Sequence, residues 1–437
     1  MGKRLIAAAS AVVGCAAFAH TAAAKDWTQV YIGVGIGADV VSTEYDTSVL
    51  GLLNSGSDDV GTSGFGASLR LGADYQVNNW LVVGAFANID WSNTETKIPF
   101  GGAGLGASPD LFGVEHAWTV GARAGALVTP DTLSYFLVGY TEAAFTDVTF
   151  GGLVDLKVPD GRGIVVGSGF EHRLTSNISL TGEYRASYLE GETLFSIPGA
   201  IDVTSDTVLH TGRVGLAYRF GGGGGGGDRA PYERLTSSWT GFYAGIGTGV
   251  SGLDGEINAY SPFFGSSSNE GMGGGDFGGS IMVGYDHRVA PSWLIGVFGA
   301  VDKTLQDSEI EVSAFGSTVG TVQLPQMDEL YTVAARAGYL LASDTLVYGL
   351  VGYSWLDMSD LHIVSVGFPT DTLSIPSFGG VTVGGGVETL IGKNLSLRAE
   401  YRYAAMGEET LISTPIGTVT SEADVHTTRV YLNYRFD

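Results

Sequence analysis

Few side chains in this sequence have the types and spacings that catalysis or metal binding requires. The seven histidines, at positions 20, 116, 172, 210, 287, 362 and 426, form no HExxH motif and no close metal-binding pair. Cys15 is the only cysteine, and no Gly-x-Ser-x-Gly nucleophile setting occurs. The stretches GVGIGAD and GGAGLGAS have the glycine spacing of phosphate-binding loops, but neither leads into a βαβ unit. We therefore predict no catalytic residue, no metal site, no cofactor and no enzyme activity.

Charged residues, in contrast, recur at matching places in the two halves of the chain. In RVYLNYRF, Arg429 and Arg435 alternate with Val430 and Phe436, so a β-strand would place the charges on one face. An isolated buried charge is very costly, so charges that face an enclosed interior must pair. We predict a structural ion-pair network that fills the lumen, with a constriction that selects solutes as the alternative. The residues of this predicted network are Arg123, Glu183, Arg185, Arg213, Arg219, Arg336, Glu400, Arg402, Arg429 and Arg435.

The segments that carry these charges occur twice because the chain is a tandem duplication. HTGRVGLAYRF at 210–220 matches HTTRVYLNYRF at 426–436. NISLTGEYR at 177–185 matches NLSLRAEYR at 394–402, and further matches keep the same order along the chain. Each repeated unit has the size of a domain, unlike the short repeats of solenoid proteins.

The repeats divide the chain into two units joined by a linker. We place the first unit at 25–220 and the second at 239–437. Residues 221–238 begin with seven glycines, and ordering glycine costs more backbone entropy than ordering any other residue. This stretch is therefore predicted to be a flexible linker.

Period-two alternation and the spacing of turns predict about eight β-strands in each unit. Short turns such as VNNW and TPDT alternate with longer Gly-, Ser- and Asp-rich stretches, predicted to be loops, at 41–63, 93–114, 254–276 and 307–327. Short turns at one end and long loops at the other are typical of outer-membrane barrels. We predict an all-β fold of two transmembrane antiparallel up-and-down β-barrels of about eight strands each. The alternative is one sixteen-stranded barrel.

The first 24 residues have the layout of a secretory signal peptide. Basic Lys3 and Arg4 precede an apolar stretch, and three alanines precede Lys25, which predicts cleavage after Ala24. The alternative is a lipid anchor on Cys15, because VVGC resembles a lipobox. The net charge of −24 argues against a nucleic-acid partner, which would require a basic surface.

Three motifs carry a family resemblance. SWTGFYAGIGTG, LRAEYRY and HTTRVYLNYRF resemble the small outer-membrane β-barrel family of alphaproteobacteria, which includes OmpA-like porins and surface antigens. The resemblance extends over both units and implies eight-stranded barrels, with both termini in the periplasm, in the outer membrane of a Gram-negative cell. It also implies a C-terminal signal for the outer-membrane insertion machinery, made of Val430, Leu432, Tyr434 and Phe436. The chain departs from the family in having two units and in placing Asp437 after the terminal aromatic residue.

The expected function is that of an integral outer-membrane protein with a structural, surface-exposed role and limited passage of small solutes. One rival is a general diffusion porin built as a single sixteen-stranded barrel, and another is a surface protein that binds haem or a host ligand. The expected partners are outer-membrane lipids, the insertion machinery, and small solutes or a surface ligand. Aromatic residues near strand ends are predicted to form the girdles at the membrane surfaces. They are Trp27, Tyr31, Trp239, Tyr243, Tyr434 and Phe436.

Overall fold

The computed structural model is built almost entirely of β-strands. It describes residues 27–49, 53–94, 96–97, 110–146, 148–150, 154–156, 160–197, 201–221, 239–262, 265–269, 274–304, 309–314, 317–323, 326–342, 344–365 and 371–436. The predicted signal peptide, with Cys15 and Ala24, lies outside the described residues, as does nearly all of the predicted linker.

The described residues of the first unit form twelve strands. They are β1 (Gln29–Val49), β2 (Leu53–Gln76), β3 (Leu81–Ser92), β4 (Thr96–Lys97), β5 (Asp110–Phe112), β6 (Val114–Thr129), β7 (Thr132–Phe145), β8 (Val148–Phe150), β9 (Val154–Leu156), β10 (Gly161–Arg173), β11 (Ile178–Ile197) and β12 (Ile201–Arg219). Eight of them, β1, β2, β3, β6, β7, β10, β11 and β12, pair antiparallel with their neighbours along the chain. The sheet closes where β1 pairs with β12, from Tyr31 opposite Arg219 to Val49 opposite Ile201.

The second unit repeats this arrangement, with fourteen strands in the ranges that the structure describes. They are β13 (Gly241–Ser261), β14 (Gly265–Asn269), β15 (Gly274–Ala290), β16 (Trp293–Thr304), β17 (Glu309–Ala314), β18 (Ser317–Gln323), β19 (Met327–Ala342), β20 (Thr345–Met358), β21 (Leu361–Ser365), β22 (Asp371–Leu373), β23 (Phe378–Leu390), β24 (Leu395–Met406), β25 (Glu409–Thr414) and β26 (Gly417–Arg435). Its barrel strands are β13, β15, β16, β19, β20, β23, β24 and β26, closed by pairing of β13 with β26.

Two separate closures confirm the prediction of two eight-stranded barrels, and the alternative of one sixteen-stranded barrel is wrong. A single barrel would require β12 to pair with β13 and β26 to pair with β1. Instead, each unit pairs its own first and last strands, so no edge of either barrel is left open. In hydrocarbon an open edge would leave backbone groups without hydrogen bonds, at several kcal/mol each.

The alternation of side chains follows the membrane environment. On β1, Val30, Ile32, Val34 and Ile36 point outward and are exposed, whereas Tyr31 points inward and is buried. The outward face of most barrel strands is similarly apolar, as lipid contact requires. Within the part of the chain that the structure describes, no helix has the length and apolarity needed to cross a bilayer.

The long-loop prediction is wrong for much of its extent because the barrel strands continue through these stretches. β1 has 21 residues and β2 has 24, and together they occupy most of 41–63. A membrane strand needs about 9–11 residues, so β1 extends roughly 35 Å and β2 roughly 45 Å beyond that length. The predicted loops 93–114, 254–276 and 307–327 likewise contain short hairpin strands or extensions of barrel strands. Ser, Thr and Gly can continue a hairpin ladder in water, where the outer face need not be apolar.

The extensions of the two units join into one sheet at the long-loop end. β17 of the second unit pairs with β2 of the first, from Glu309 opposite Asp58 to Ala314 opposite Leu53. β18, β21 and β22 continue this sheet outward. Backbone pairing therefore links the two barrels outside their membrane-spanning parts.

The prediction of aromatic girdles is only partly correct. Tyr434 and Phe436 are exposed on the outer surface, but Trp27, Tyr31 and their counterparts in the second unit are buried inside the barrels. Their strand faces explain this, since Tyr31 alternates with the lipid-facing Val30 and Ile32. The counterparts are Trp239 and Tyr243.

Candidate functional site

Near the short turns, four charged side chains cross the lumen of the first barrel. This basal layer consists of Asp74, Arg123, Glu171 and Arg219, which come from alternate barrel strands β2, β6, β10 and β12. Arg123 donates to Asp74 through Nε at 2.9 Å and Nη2 at 2.6 Å, and to Glu171 at 3.0 Å. Arg219 donates to Glu171 at 2.6 and 2.7 Å and to Asp74 at 2.8 Å. Each carboxylate thus bridges both guanidinium groups.

Aromatic rings fill the space beside the basal layer. The Tyr31 ring lies 4.6 Å from the Arg123 guanidinium carbon and 5.0 Å from that of Arg219. The Trp27 ring lies 4.6 Å from Arg219 on the side of the short turns. Cation–π contact stabilises a desolvated guanidinium by about 2 kcal/mol or more. The rings that the girdle prediction placed at the membrane surface therefore pack on the lumen charges.

A second set of charges, the central layer, lies in the middle of the first barrel. It consists of Asp39, Arg70, Asp90, Glu183, Arg185 and Arg213. Arg70 forms two hydrogen bonds with Glu183. The Tyr135 hydroxyl also donates a hydrogen bond to Glu183 Oε2, at 2.7 Å.

The rest of the central layer continues this network across the lumen. Arg185 donates to both oxygens of Asp90 at 2.9 and 2.6 Å. Arg213 donates to Asp39 at 2.8 Å and lies 3.4 Å from Asp90. The layer pairs three carboxylates with three guanidinium groups.

Apolar side chains close the lumen above the central layer. Val41, Val114, Ala117, Ala143, Leu189 and Leu209 form a buried cluster there. In the second barrel the corresponding cluster includes Leu253, Leu330, Leu356, Phe378 and Val425. Each lumen is therefore filled at three successive levels: basal charges, central charges and apolar side chains.

The basal layer of the second barrel repeats that of the first residue by residue. Arg336 donates to Asp286 at 2.9 and 2.5 Å and to Glu388 at 2.8 Å. Arg435 donates to Glu388 at 3.0 Å and to Asp286 at 2.7 Å. The Tyr243 ring lies against both arginines, as Tyr31 does in the first barrel.

The central layer of the second barrel keeps the pairing pattern but changes two of its residues. Arg402 and Arg429 both donate to Asp302, at 2.9–3.0 Å and 3.1 Å. Glu400 accepts from the Tyr348 hydroxyl at 2.6 Å and pairs closely with Arg398. Arg398 thus occupies the role of Arg70.

Sequence alignment of the units shows where the two changes occur. The counterpart of Arg70 is Met282, and the counterpart of Arg398 is Thr181. The guanidinium that pairs with the central glutamate therefore comes from β2 in one barrel and from β24 in the other. The second change replaces Asp39 by Ser251, whose hydroxyl accepts from Arg429 at 2.5 Å.

All ten residues of the predicted network lie buried in the lumens. The structure divides them between the layers: the basal arginines are Arg123, Arg219, Arg336 and Arg435, and the other six residues are central. Most of their carboxylate partners lie on other strands and were not predicted, and neither were Arg70 and Arg398. Strand alternation could have found Arg70 and Asp74, which are four residues apart and share the inward face.

Val430, Leu432 and Tyr434 of the predicted C-terminal signal share the outer face of β26, and Phe436 follows directly after the strand. Tyr434 and Phe436 are about half exposed, while Val430 and Leu432 are partly covered by the first barrel. The histidines His210 and His426 also lie on outer faces, where their Nδ1 atoms bond to Tyr184 at 2.9 Å and to Tyr401 at 2.8 Å. Among the described residues, no group of three His, Cys, Asp or Glu side chains is arranged to hold a metal ion.

The arrangement determines what the lumens can do. Eight strands enclose a space that side chains alone can fill, and here paired charges and rings occupy it. Each arginine of the basal and central layers is committed to carboxylates within the barrel rather than left free to attract a solute. These contacts favour a sealed, mechanically rigid barrel.

Comparison with known proteins gives matches to both units. The family model described as outer membrane protein beta-barrel domain matches residues 6–220 and 230–436. The 31 kDa outer-membrane immunogenic proteins of Brucella melitensis biotype 1 and Brucella suis biovar 1 are each 29% identical over 210 residues. That alignment covers 46% of this chain and 85% of each relative.

Solved structures show more distant similarity. Ail, the attachment invasion locus protein of Yersinia pestis, is 15% identical over 44% of this chain and 99% of its own, with a TM-score of 0.19. The Ralstonia pickettii toluene transporter TbuX is 12% identical over 94% of this chain and 90% of its own, with a TM-score of 0.29. Neither superposition is close.

Proposed function

Because the chain belongs to the outer membrane protein beta-barrel domain family and is located in the outer membrane of a Gram-negative cell, we propose that it is a surface-exposed structural protein whose two lumens are closed to solutes. The barrels anchor the strand extensions, which form a joint sheet outside the bilayer. The short turns and both termini face the periplasm, and the terminal strand carries the signal read by the insertion machinery.

The packing of the lumens carries this proposal. A pore needs a continuous path of water, but the basal layer alone places two guanidinium groups, two carboxylates and an aromatic ring across each barrel. Opening that path would separate buried charges, and breaking one such pair costs about 3–5 kcal/mol. A closed lumen is therefore favoured over the limited solute passage expected from sequence.

The strand extensions support the surface-exposed role. They are continuous with rigid barrel strands, and β17 pairs with β2 across the two units. A sheet held at both ends by membrane barrels is a fixed platform for contacts outside the cell.

Conductance of the full-length mature protein in planar bilayers tests the closed lumen. We expect no stable current steps in protein that runs as folded, heat-modifiable barrels on a gel. Stable steps of porin scale would contradict the proposal, and small steady currents would favour passage of small solutes instead.

Cysteine labelling in intact cells tests the orientation. Thr318 is exposed on β18 and Asn79 is exposed in the short turn between β2 and β3. A membrane-impermeant maleimide should label Thr318→Cys in intact cells but should label Asn79→Cys only after the outer membrane is permeabilised. The parent chain is the control for Cys15. The reverse pattern would place the extensions in the periplasm.

A further inference from the structure

Part of the outer face of each barrel is covered by the other barrel. Ala38, Val40 and Val250 point outward from their strands, yet all three are completely buried. Elsewhere on β1, the outward-facing Ile36 is 52% exposed. The two barrels therefore pack side by side through β1, β2, β11 and β12 of the first and β13, β15, β24 and β26 of the second.

Two contacts at the centre of this interface join residues that are equivalent in the repeat. Gly182 and Ala399 occupy the same place in NISLTGEYR and NLSLRAEYR, and a Cβ atom on Gly182 would lie 3.2 Å from the Cβ of Ala399. Gly212 and Thr428 are likewise equivalent, and a Cβ on Gly212 would lie 2.7 Å from that of Thr428. Contacts between equivalent residues occur on a two-fold axis.

Contacts away from this centre occur in matched pairs. The Tyr184 ring packs on Phe277 of the second barrel, with ring centres 4.8 Å apart. The equivalent Tyr401 packs on Phe65 of the first barrel, with ring centres 6.0 Å apart. Each tyrosine is oriented by a hydrogen bond to the histidine of the following strand.

A second matched pair lies close to the axis. The Ala38 backbone N–H donates to Thr428 Oγ1 at 3.2 Å. The reciprocal contact is between Val250, the counterpart of Ala38, and Gly212, the counterpart of Thr428. A Cβ on Gly212 would lie 2.9 Å from Val250 Cγ2. Exchange of the two units therefore maps these contacts onto each other.

One apolar cluster shows the same relation. Its members come from equivalent positions of both barrels, and they are Phe170 with Val387, Leu180 with Leu397, Leu174 with Ile391, and Val214 with Val430, together with Ala399 and Leu432. An isologous interface, in which the same patch of both partners meets, has this pattern. Lipid is as apolar as these side chains, so close packing at small residues holds such an interface together.

We infer that each barrel carries a docking surface for the other, arranged about an approximate two-fold axis between Gly212 and Thr428. The surface holds the barrels together without the linker, and it has the geometry of a homodimer of single barrels. This inference does not depend on whether the lumens conduct.

Disulfide cross-linking in the full-length protein tests the docking surface. The variant Gly182→Cys with Ala399→Cys brings two thiols to the axis, with Cβ atoms 3.2 Å apart. This is just below the roughly 3.5–4.5 Å between Cβ atoms in disulfides, so a small shift at the axis, including the Phe170 ring beside Gly182, accompanies bond formation. A protease site placed in the glycine run allows the linker to be cut after oxidation. We expect the halves to migrate together on a non-reducing gel and to separate on reduction.

Equivalent positions facing lipid provide the matched control. Val138 and Val351 are 54% and 57% exposed on the outer faces of β7 and β20. The pair Val138→Cys with Val351→Cys should give no link between the halves of one chain, while a product of double mass before cleavage would identify links between chains. Equal linking in both variants, or no linking at the axis in folded protein, would overturn the inference.

A non-covalent measurement tests the same surface without thiols. After linker cleavage in detergent, the two halves of the parent protein should elute together in size-exclusion chromatography. Gly212→Thr should weaken the association because the added Cβ would collide with Thr428, while the β2–β17 pairing remains. The variant halves should therefore separate at a lower urea concentration than the parent halves, whereas Val351→Thr on the lipid face should change nothing. Folding of each half is checked by heat-modified gel mobility. Separation of the parent halves would contradict the inference.

Discussion

The two barrels share their basal layers but differ in their central layers. Asp74, Arg123, Glu171 and Arg219 have identical counterparts with the same pairings. In the central layer, however, the glutamate is paired by Arg70 on β2 in the first barrel and by Arg398 on β24 in the second.

This difference shows that the guanidinium that pairs with the central glutamate is maintained, whereas the strand that supplies it is not. Loss of Arg70 alone would leave Glu183 short of a partner, and gain of an arginine at Thr181 alone would add an unpaired charge. The two differences compensate only together. The basal layer allows no such exchange because each of its groups bridges two partners.

The largest loss of stability is expected from substitutions in the basal layer, and it should be equal in the two barrels. Arg123→Leu and Arg336→Leu each remove a guanidinium that bridges two buried carboxylates, at a cost of about 3–5 kcal/mol in unfolding free energy. Urea unfolding in lipid vesicles, followed by gel mobility of each half after linker cleavage, measures both. Val138→Leu on the lipid face is the control. A cost below about 1 kcal/mol in either barrel would show that its basal pairing is not structural.

A smaller effect is expected when the central layer of the first barrel is converted to that of the second. Arg70→Met and Thr181→Arg should each destabilise the first barrel, and the double variant should recover stability with a coupling energy of about 1–3 kcal/mol. The same unfolding measurement completes the double-mutant cycle. Additive losses would mean that the two positions do not exchange roles.

The smallest change in stability is expected from substitutions at Asp39 and its counterpart Ser251, where the barrels differ in charge. Asp39→Ser removes a partner of Arg213 and should lower the stability of the first barrel by about 1–2 kcal/mol. Ser251→Asp should stabilise the second barrel by a similar or smaller amount because its central layer has three arginines and two carboxylates. The unfolding midpoint of the first barrel should fall in Asp39→Ser, and that of the second barrel should rise in Ser251→Asp. Shifts of the same sign would contradict this account of the charge difference.

The sequence predicted the barrels and the faces of their strands, but not the extent of the strands. Repeated motifs and alternating Val430, Leu432 and Tyr434 are sufficient for an eight-stranded closure in lipid. Beyond the bilayer this signal disappears, because Ser, Thr, Asp and Gly replace the alternating apolar residues in the outer parts of β1 and β2. Alternation alone therefore predicts a loop over 41–63.

Partners across a lumen and across the interface were also beyond prediction. Alternation places Arg185 inward, but only the shear of the closed sheet brings Asp90, on a distant strand, within hydrogen-bond distance. Ala399 and Val351 are both small apolar residues on outer faces, yet one meets the other barrel and the second meets lipid. Lipid and a barrel surface select the same kind of side chain.

Gly212 and Thr428 show what covalent fusion permits. In an assembly of identical subunits, a mutation on the symmetry axis changes both sides simultaneously, so a bulky threonine would have to face itself. Encoding both partners in one gene removes that restriction, since a groove can evolve on one side and its filling on the other. The two surfaces now fit each other rather than themselves. A homodimer of either half would lose the fit between Gly212 and Thr428.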